Sequence, residues 1–149
     1  MSSFDPALFL QTQTTEATST EYTPVPEGEF SAMVKSIKPR VLQDGRAVLD
    51  VTYIVQDQDV QDETGMAEPT VRQTLWLDIT DAGGLDAGKG KNVQLGRLRD
   101  SCNQNKSGQP WSPEMLLGNT VVIKVAHSID KRDGKTIQAD VKSVAPLAF

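Results

Sequence analysis

TVRQTLWLDITDAGGLDAGKGKNVQLGRLRDSCNQN, residues 70–105, changes its hydrophobic period partway along, and that change decides the fold. In 70–78 the apolar Leu75 and Leu77 alternate with Arg72, Thr74 and Trp76. A period of two is a strand with Leu75 and Leu77 on one face and Arg72, Thr74 and Trp76 on the other. Glycines at 83, 84, 88 and 90 then punctuate a loop. Beyond it, within 92–105, Leu95, Leu98 and Cys102 recur at helical spacing, with Arg97 and Arg99 off that stripe.

Outward from this strand–loop–helix unit the pattern is again strands. Residues 30–38 form a first strand whose two faces do not separate cleanly, followed by a basic loop through Arg40 and Gly45-Arg46. A second strand, 47–56, places Leu49, Val51, Tyr53 and Val55 on one face, and the acidic stretch 57–68, with Gly65, reads as a flexible hairpin connection. Downstream, Trp111-Ser112-Pro113-Glu114 is a helix start: Ser112 caps, Pro113 takes the first position, Trp111 staples onto Leu116, and Gly118 ends it. A fourth strand, 120–127, a turn at 130–134 and a fifth strand, 136–144, complete the chain. Three strands, a helical segment and two strands is the order of the mainly β, five-stranded Greek-key barrel called the OB-fold, with the helix between strands three and four. Residues 1–26 read as a disordered or docking tail ahead of a 27–149 barrel domain. The run 11–20 has almost nothing apolar to offset its ordering entropy, whereas Asp5-Pro6 heads one capped helical turn carrying Phe9 and Leu10.

Composition narrows the function. No apolar run approaches the roughly 20 residues of a membrane helix, and no basic leader precedes an apolar stretch. A lone cysteine, Cys102, excludes an intramolecular disulfide framework and suits a reducing compartment, so the expected location is cytoplasmic. The net charge of −5 is unevenly spread. Residues 1–34 hold five acidic and no basic side chains, and 57–68 hold five more acidic ones. The rest carries 15 basic against 10 acidic residues, so a mildly basic body is open to an anionic partner. Catalytic chemistry is thin, and no enzyme activity and no cofactor is expected. One His (His127) with one Cys cannot build a four-ligand zinc site. Gly83–Lys89 imitates the start of a phosphate-binding loop but continues with Gly90 where a Ser or Thr should hold magnesium. Asp78, Asp81 and Asp86 read more simply as turn residues than as metal ligands.

From Pro26 onward the chain resembles a family of small phage-encoded single-stranded-DNA-binding and recombination-associated proteins. The resemblance rests on the opening Pro26-x-Gly28-x-Phe30, the Gly-Lys-rich loop leading into Leu-Gly-Arg-Leu at 95–98, Leu-Leu-Gly-Asn-x-Val at 116–121, and Asp-Val-Lys-Ser-Val-Ala-Pro-Leu at 140–147. It implies an OB-fold that binds DNA during phage replication or recombination, in the host cytoplasm, with phage or host replication proteins as possible partners. Such proteins often end in an acidic tail, and this chain ends Ala145-Pro-Leu-Ala-Phe149 instead.

For such a function the candidate residues follow from chemistry. An outward Trp76 beside Arg72 and Thr74 suits base stacking with a phosphate contact, the alternative being that Trp76 is covered by the tail or by a second subunit in a homo-oligomer. Lys35, Lys38, Arg40 and Arg46 are placed in or beside the loop between strands one and two, and Lys131, Arg132 and Lys135 in the turn between strands four and five, the two loops that border an OB-fold groove. Lys89, Lys91, Arg97, Arg99 and Lys106 form a third basic cluster around the helix. Two other readings stay open: a virion decoration or adaptor subunit docking through residues 4–10, and an acidic DNA-mimic inhibitor using 57–68.

Overall fold

The computed structural model describes residues 4–18 and 23–147. Alternation of apolar and polar residues builds five strands: β1 (Gly28–Val41), β2 (Ala47–Val55), β3 (Thr70–Leu77), β4 (Thr120–Ile129) and β5 (Ile137–Pro146). They close into a barrel in the order β1-β2-β3-β5-β4, with β4 returning to β1. All neighbours are antiparallel except β3 and β5, which meet in parallel at the single pair Arg72 and Asp140. This is the OB-fold arrangement expected from the order of elements.

Closure depends on the length of β1. Its first half, Gly28 to Met33, pairs with β4, and its second half, Ala32 to Val41, pairs with β2. Between Val34 and Ser36 the register against β2 shifts, a β-bulge that lets both Val34 and Ile37 turn inward although they are an odd three positions apart. That extra residue is the reason 30–38 shows no clean alternation. Gly28, at φ +146°, opens the strand, and a Cβ there would lie 3.2 Å from the ring of Phe30, which packs against the core. The Gly-x-Phe spacing is thus a packing requirement.

Inside, Leu49, Val51, Tyr53 and Val55 of β2 face Val71 and Leu75 of β3 and Val121, Ile123 and Val125 of β4. Gln73 also points inward, and its Oε1 accepts from Tyr53 Oη at 2.7 Å, so neither polar group is left unpaired. A helix at Val93–Ser101 adds Leu95 and Leu98 to this core, and a 3-10 turn (Pro113–Leu116) adds Leu116. Pro113 opens that turn, but the Ser112 side chain makes no capping hydrogen bond, contrary to the expectation from sequence.

The acidic stretch 57–68 is not the flexible connection its composition suggests. It contains a second helix, Gln58–Thr64, which adds a further residue to the core. Asp57 caps it by accepting from Val60 N at 3.2 Å, and Gly65 ends it in the left-handed region at φ +72°. Val60 projects into the core and is 1% exposed. One inward apolar residue among five acidic ones is too weak a periodic signal to mark a helix.

The N-terminal segment begins with a short helix at Pro6–Phe9, so the helices in chain order are α1 (Pro6–Phe9), α2 (Gln58–Thr64) and α3 (Val93–Ser101). Asp5 caps α1 by accepting from Ala7 N and Leu8 N. Phe4, Leu8, Phe9 and Leu10 are exposed, and the Phe4 and Phe9 rings lie 5.2 Å apart. Residues 19 and 20 of the polar run, and Phe149, lie outside the described residues. Val25 is 2% exposed and belongs to the core, its carbonyl accepting from His127 Nε2 at 2.7 Å. The packed unit therefore starts two residues ahead of Glu27, and Glu27 adds a bond by accepting from His127 N at 3.0 Å.

Two outcomes are expected. Deleting residues 1–23 leaves the thermal midpoint within a few degrees, while Val25→Ala costs about 2 kcal/mol through lost burial, both read by calorimetry. A deletion as costly as Val25→Ala would place further packing in the tail. Burial pushes the Tyr53 hydroxyl well above its ordinary value. A phenol whose pKa is raised on folding stabilises the fold fully below its unfolded value of about 10, and that contribution fades as pH climbs beyond it. In a Tyr22→Phe background, phenolate absorbance should therefore appear together with loss of the native circular dichroism signal, not before it.

Candidate functional site

The outer face of β1, β2 and β3 is organised in rows by cross-strand register. Arg40, Val48 and Trp76 form one row, Lys38, Asp50 and Thr74 the next, and Ser36, Thr52 and Arg72 a third, which Asp140 of β5 extends. Trp76 is 46% exposed, which places it outward beside Arg72 and Thr74 as strand alternation requires. Nothing within the described residues covers it as a tail or core would. Its neighbour Val48 is fully buried although it lies on the outer face and outside the core cluster, flanked in its row by Arg40 and Trp76.

The guanidinium of Arg46 lies 4.5 Å from the centre of the Trp76 ring. Arg46 sits in the turn after β1, and the pairing of Ala47 with Leu77 brings that turn against the end of β3. Arg46 Nε also donates to Asp44 Oδ2 at 2.6 Å, so one face of the indole carries a cation held in place by a carboxylate. The sequence placed Arg46 and Trp76 in separate groups; only the register joins them.

Other basic residues fall differently from expectation. Lys38 and Arg40 are not in a loop, because β1 runs on to Val41; both stand on the outer face of the strand. Arg40 is committed to Asp50, donating from Nε to Oδ2 at 2.8 Å and from Nη2 to Oδ1 at 3.4 Å, while Thr74 Oγ1 donates to Asp50 Oδ1 at 3.0 Å. These bonds, the Arg40 one first, hold the Asp50 carboxyl below its usual range, so the centre of the face stays ionised and internally satisfied. Lys35 lies at the bulge, five residues before Arg40 and thus about 17 Å along the strand from the Trp76 row.

The turn between β4 and β5 is preformed. Asp133 accepts from Lys135 N at 2.8 Å, from Thr136 N at 2.9 Å and from the Thr136 hydroxyl, and these bonds hold its carboxyl at about 2. Arg132 is paired with Asp130 at 2.9 Å. Among the described residues, Lys35, Lys38, Arg72, Lys131 and Lys135 take part in no ion pair and remain available to an anionic partner. The third basic cluster belongs to the loop before α3, to α3 itself and to the segment after it. Its Arg99 stacks on Trp111 at 4.1 Å and donates to Gln104 O, while Trp111 Nε1 donates to Gln104 Oε1 at 2.9 Å.

The loop of residues 78–92, which imitates a phosphate-binding loop, is held by Asn92 instead. The Asn92 side chain accepts from Asp78 N at 2.8 Å and donates to Asp78 O and Asp86 O, and Asn92 N donates to Asp78 Oδ2 at 3.0 Å. Asn92 adopts a left-handed conformation, φ 53°, to do so. Among the described residues no helix is long and apolar enough to cross a membrane. Comparison with known protein families and with curated proteins finds no match to the chain.

An exposed Trp76 has little to contribute to the core. Trp76→Ala is expected to lower stability by no more than about 1 kcal/mol, the cost of partly uncovering Val48, against the 3–5 kcal/mol of a buried tryptophan. Denaturant unfolding of the single variant measures this, and a loss in the larger range would mean that Trp76 is a core residue.

Proposed function

We propose that this protein binds single-stranded DNA with little sequence preference, acting as a binding module and not as an enzyme. The observation that carries the reading is Trp76: a half-exposed indole on an outer barrel face, backed by Arg46 and accompanied by basic side chains on the neighbouring strands and turns. Aromatic rings that stack on bases accept any base, because every base has a π face, and basic side chains beside them follow the backbone. Lys38, Arg72, Lys131 and Lys135 supply those backbone contacts, while Arg40 and Arg132 contribute less because each already faces a carboxylate. The resemblance to phage recombination-associated proteins supports DNA over RNA and a role in phage replication or recombination in the host cytoplasm. Possible protein partners, or a second copy of the chain, would meet the exposed Phe4, Leu8, Phe9 and Leu10.

Titration of tryptophan fluorescence with a poly-dT oligonucleotide at low and moderate salt tests the proposal. Binding should quench Trp76, weaken as salt rises, and fall about tenfold in Trp76→Ala. Lys131→Ala and Lys135→Ala together should lessen the slope of log affinity against log salt by about 0.7 for each phosphate no longer neutralised, with Arg40→Ala changing it less. No titratable signal at low salt would remove nucleic acid from the account.

A further inference from the structure

Resting on the reading above, we infer that the cleft between β3 and β5 is a subsite that takes a single base and favours guanine. β3 and β5 are in ladder register at one pair, Arg72 and Asp140. There the surface opens into a cleft of about 340 Å³ whose polar lining comes from Thr52, Thr70, Arg72, Gln138 and Asp140. That volume is near the lower end for small-molecule pockets, about 300–1,000 Å³, so it suits one nucleotide and not an extended strand.

The decisive feature is a pair of opposite charges that do not meet. Arg72 and Asp140 are in direct register across the two strands, on the outward side, yet among the described residues neither is in an ion pair. Asp140 accepts only a long bond from Ser128 Oγ, at 3.3 Å. A guanidinium and a carboxylate left side by side present a fork of donors next to a fork of acceptors. Guanine matches both: O6 and N7 accept from an arginine fork, and N1–H and the N2 amine donate together to a carboxylate. Adenine, cytosine and thymine each offer this arrangement fewer bonds, since none combines two adjacent acceptors with two adjacent donors. Gln138 and the two threonine hydroxyls add adaptable partners at the rim. Trp76 is four residues from Arg72 on the same face of β3, about 13 Å along the strand, so one short oligonucleotide reaches both points.

The test uses the full chain and a set of dT oligonucleotides in which one dG is placed at each position in turn. One or more of the dG oligonucleotides should bind about tenfold tighter than all-dT. Asp140→Asn should remove that gain, so that no dG oligonucleotide binds tighter than all-dT to the variant, and Arg72→Met should remove it as well. Thermal midpoints of both variants report that the barrel remains folded. If all-dT binds and no dG position improves on it, the subsite is wrong and the stacking face stands. If Asp140→Asn keeps the dG gain, Asp140 does not read the base and the base-reading inference fails. If no oligonucleotide binds at all, the proposed function and this subsite fall together.

Discussion

Closure of the barrel rests on one strand pairing with two neighbours. A five-stranded sheet has two edges, each a row of unsatisfied backbone groups, and the only way to remove both is to join them. β1 does this by pairing with β4 through Met33 and with β2 from Ala32 onward. The bulge at Val34–Ser36 supplies the bend, and there Val34 exchanges hydrogen bonds of 2.9 Å with Gly118 and Asn119 just before β4. Everything on the outer face inherits its position from that bend. Without the parity change, Lys38 and Arg40 would turn inward where Ile37 now packs, and the row Arg40–Val48–Trp76 would not exist.

How much of this was legible in the sequence follows from what each residue depends on. β2, β3, β4 and α3 were readable because their patterns are local: a strict period of two with Leu49, Val51, Tyr53 and Val55, then Leu95 and Leu98 one turn apart. The outward placement of Trp76 follows from the same alternation. The failures share a cause as well. The bulge in β1 breaks periodicity while keeping the strand, so the strand looked shorter and Lys38 and Arg40 looked like loop residues. α2 has a single buried residue, and Asp57 and Gly65 were the only signals of its two ends. Val25 sits between two prolines in a tail-like composition, and only the long-range bond to His127 marks it as core. Pairings between distant segments, Arg46 with Trp76 and Arg72 with Asp140, depend on register and could not be read from any window of the chain.

Counting basic residues overstates the positive character of this face. Fifteen lysines and arginines look ample, but the structure commits Arg40, Arg46 and Arg132 to carboxylates a few ångströms away. Such exposed pairs contribute little to stability, commonly about 0–1 kcal/mol, so their consequence lies in positioning more than in energy. Arg46 shows this best. Asp44, two residues before it, orients the guanidinium over one face of Trp76, whose side chain remains about half exposed.

The distribution of charge also dictates how a strand could lie. Asp50 occupies the middle of the face, its side chain 17% exposed and its oxygens filled by Arg40 and Thr74. A fixed carboxylate there repels a phosphate that crosses the centre, while the uncommitted cations stand to the sides: Lys38 on β1, Arg72 at the β3–β5 junction, Lys131 and Lys135 on the turn. A polyanion on such a surface gains most by running its backbone along the border and turning its bases inward. Bases turned inward on such a path would meet Trp76 at one end of β3 and the open cleft at the other. On the proposed reading, the central carboxylate, which by its sign alone looks hostile to nucleic acid, would decide which side of the strand faces the protein.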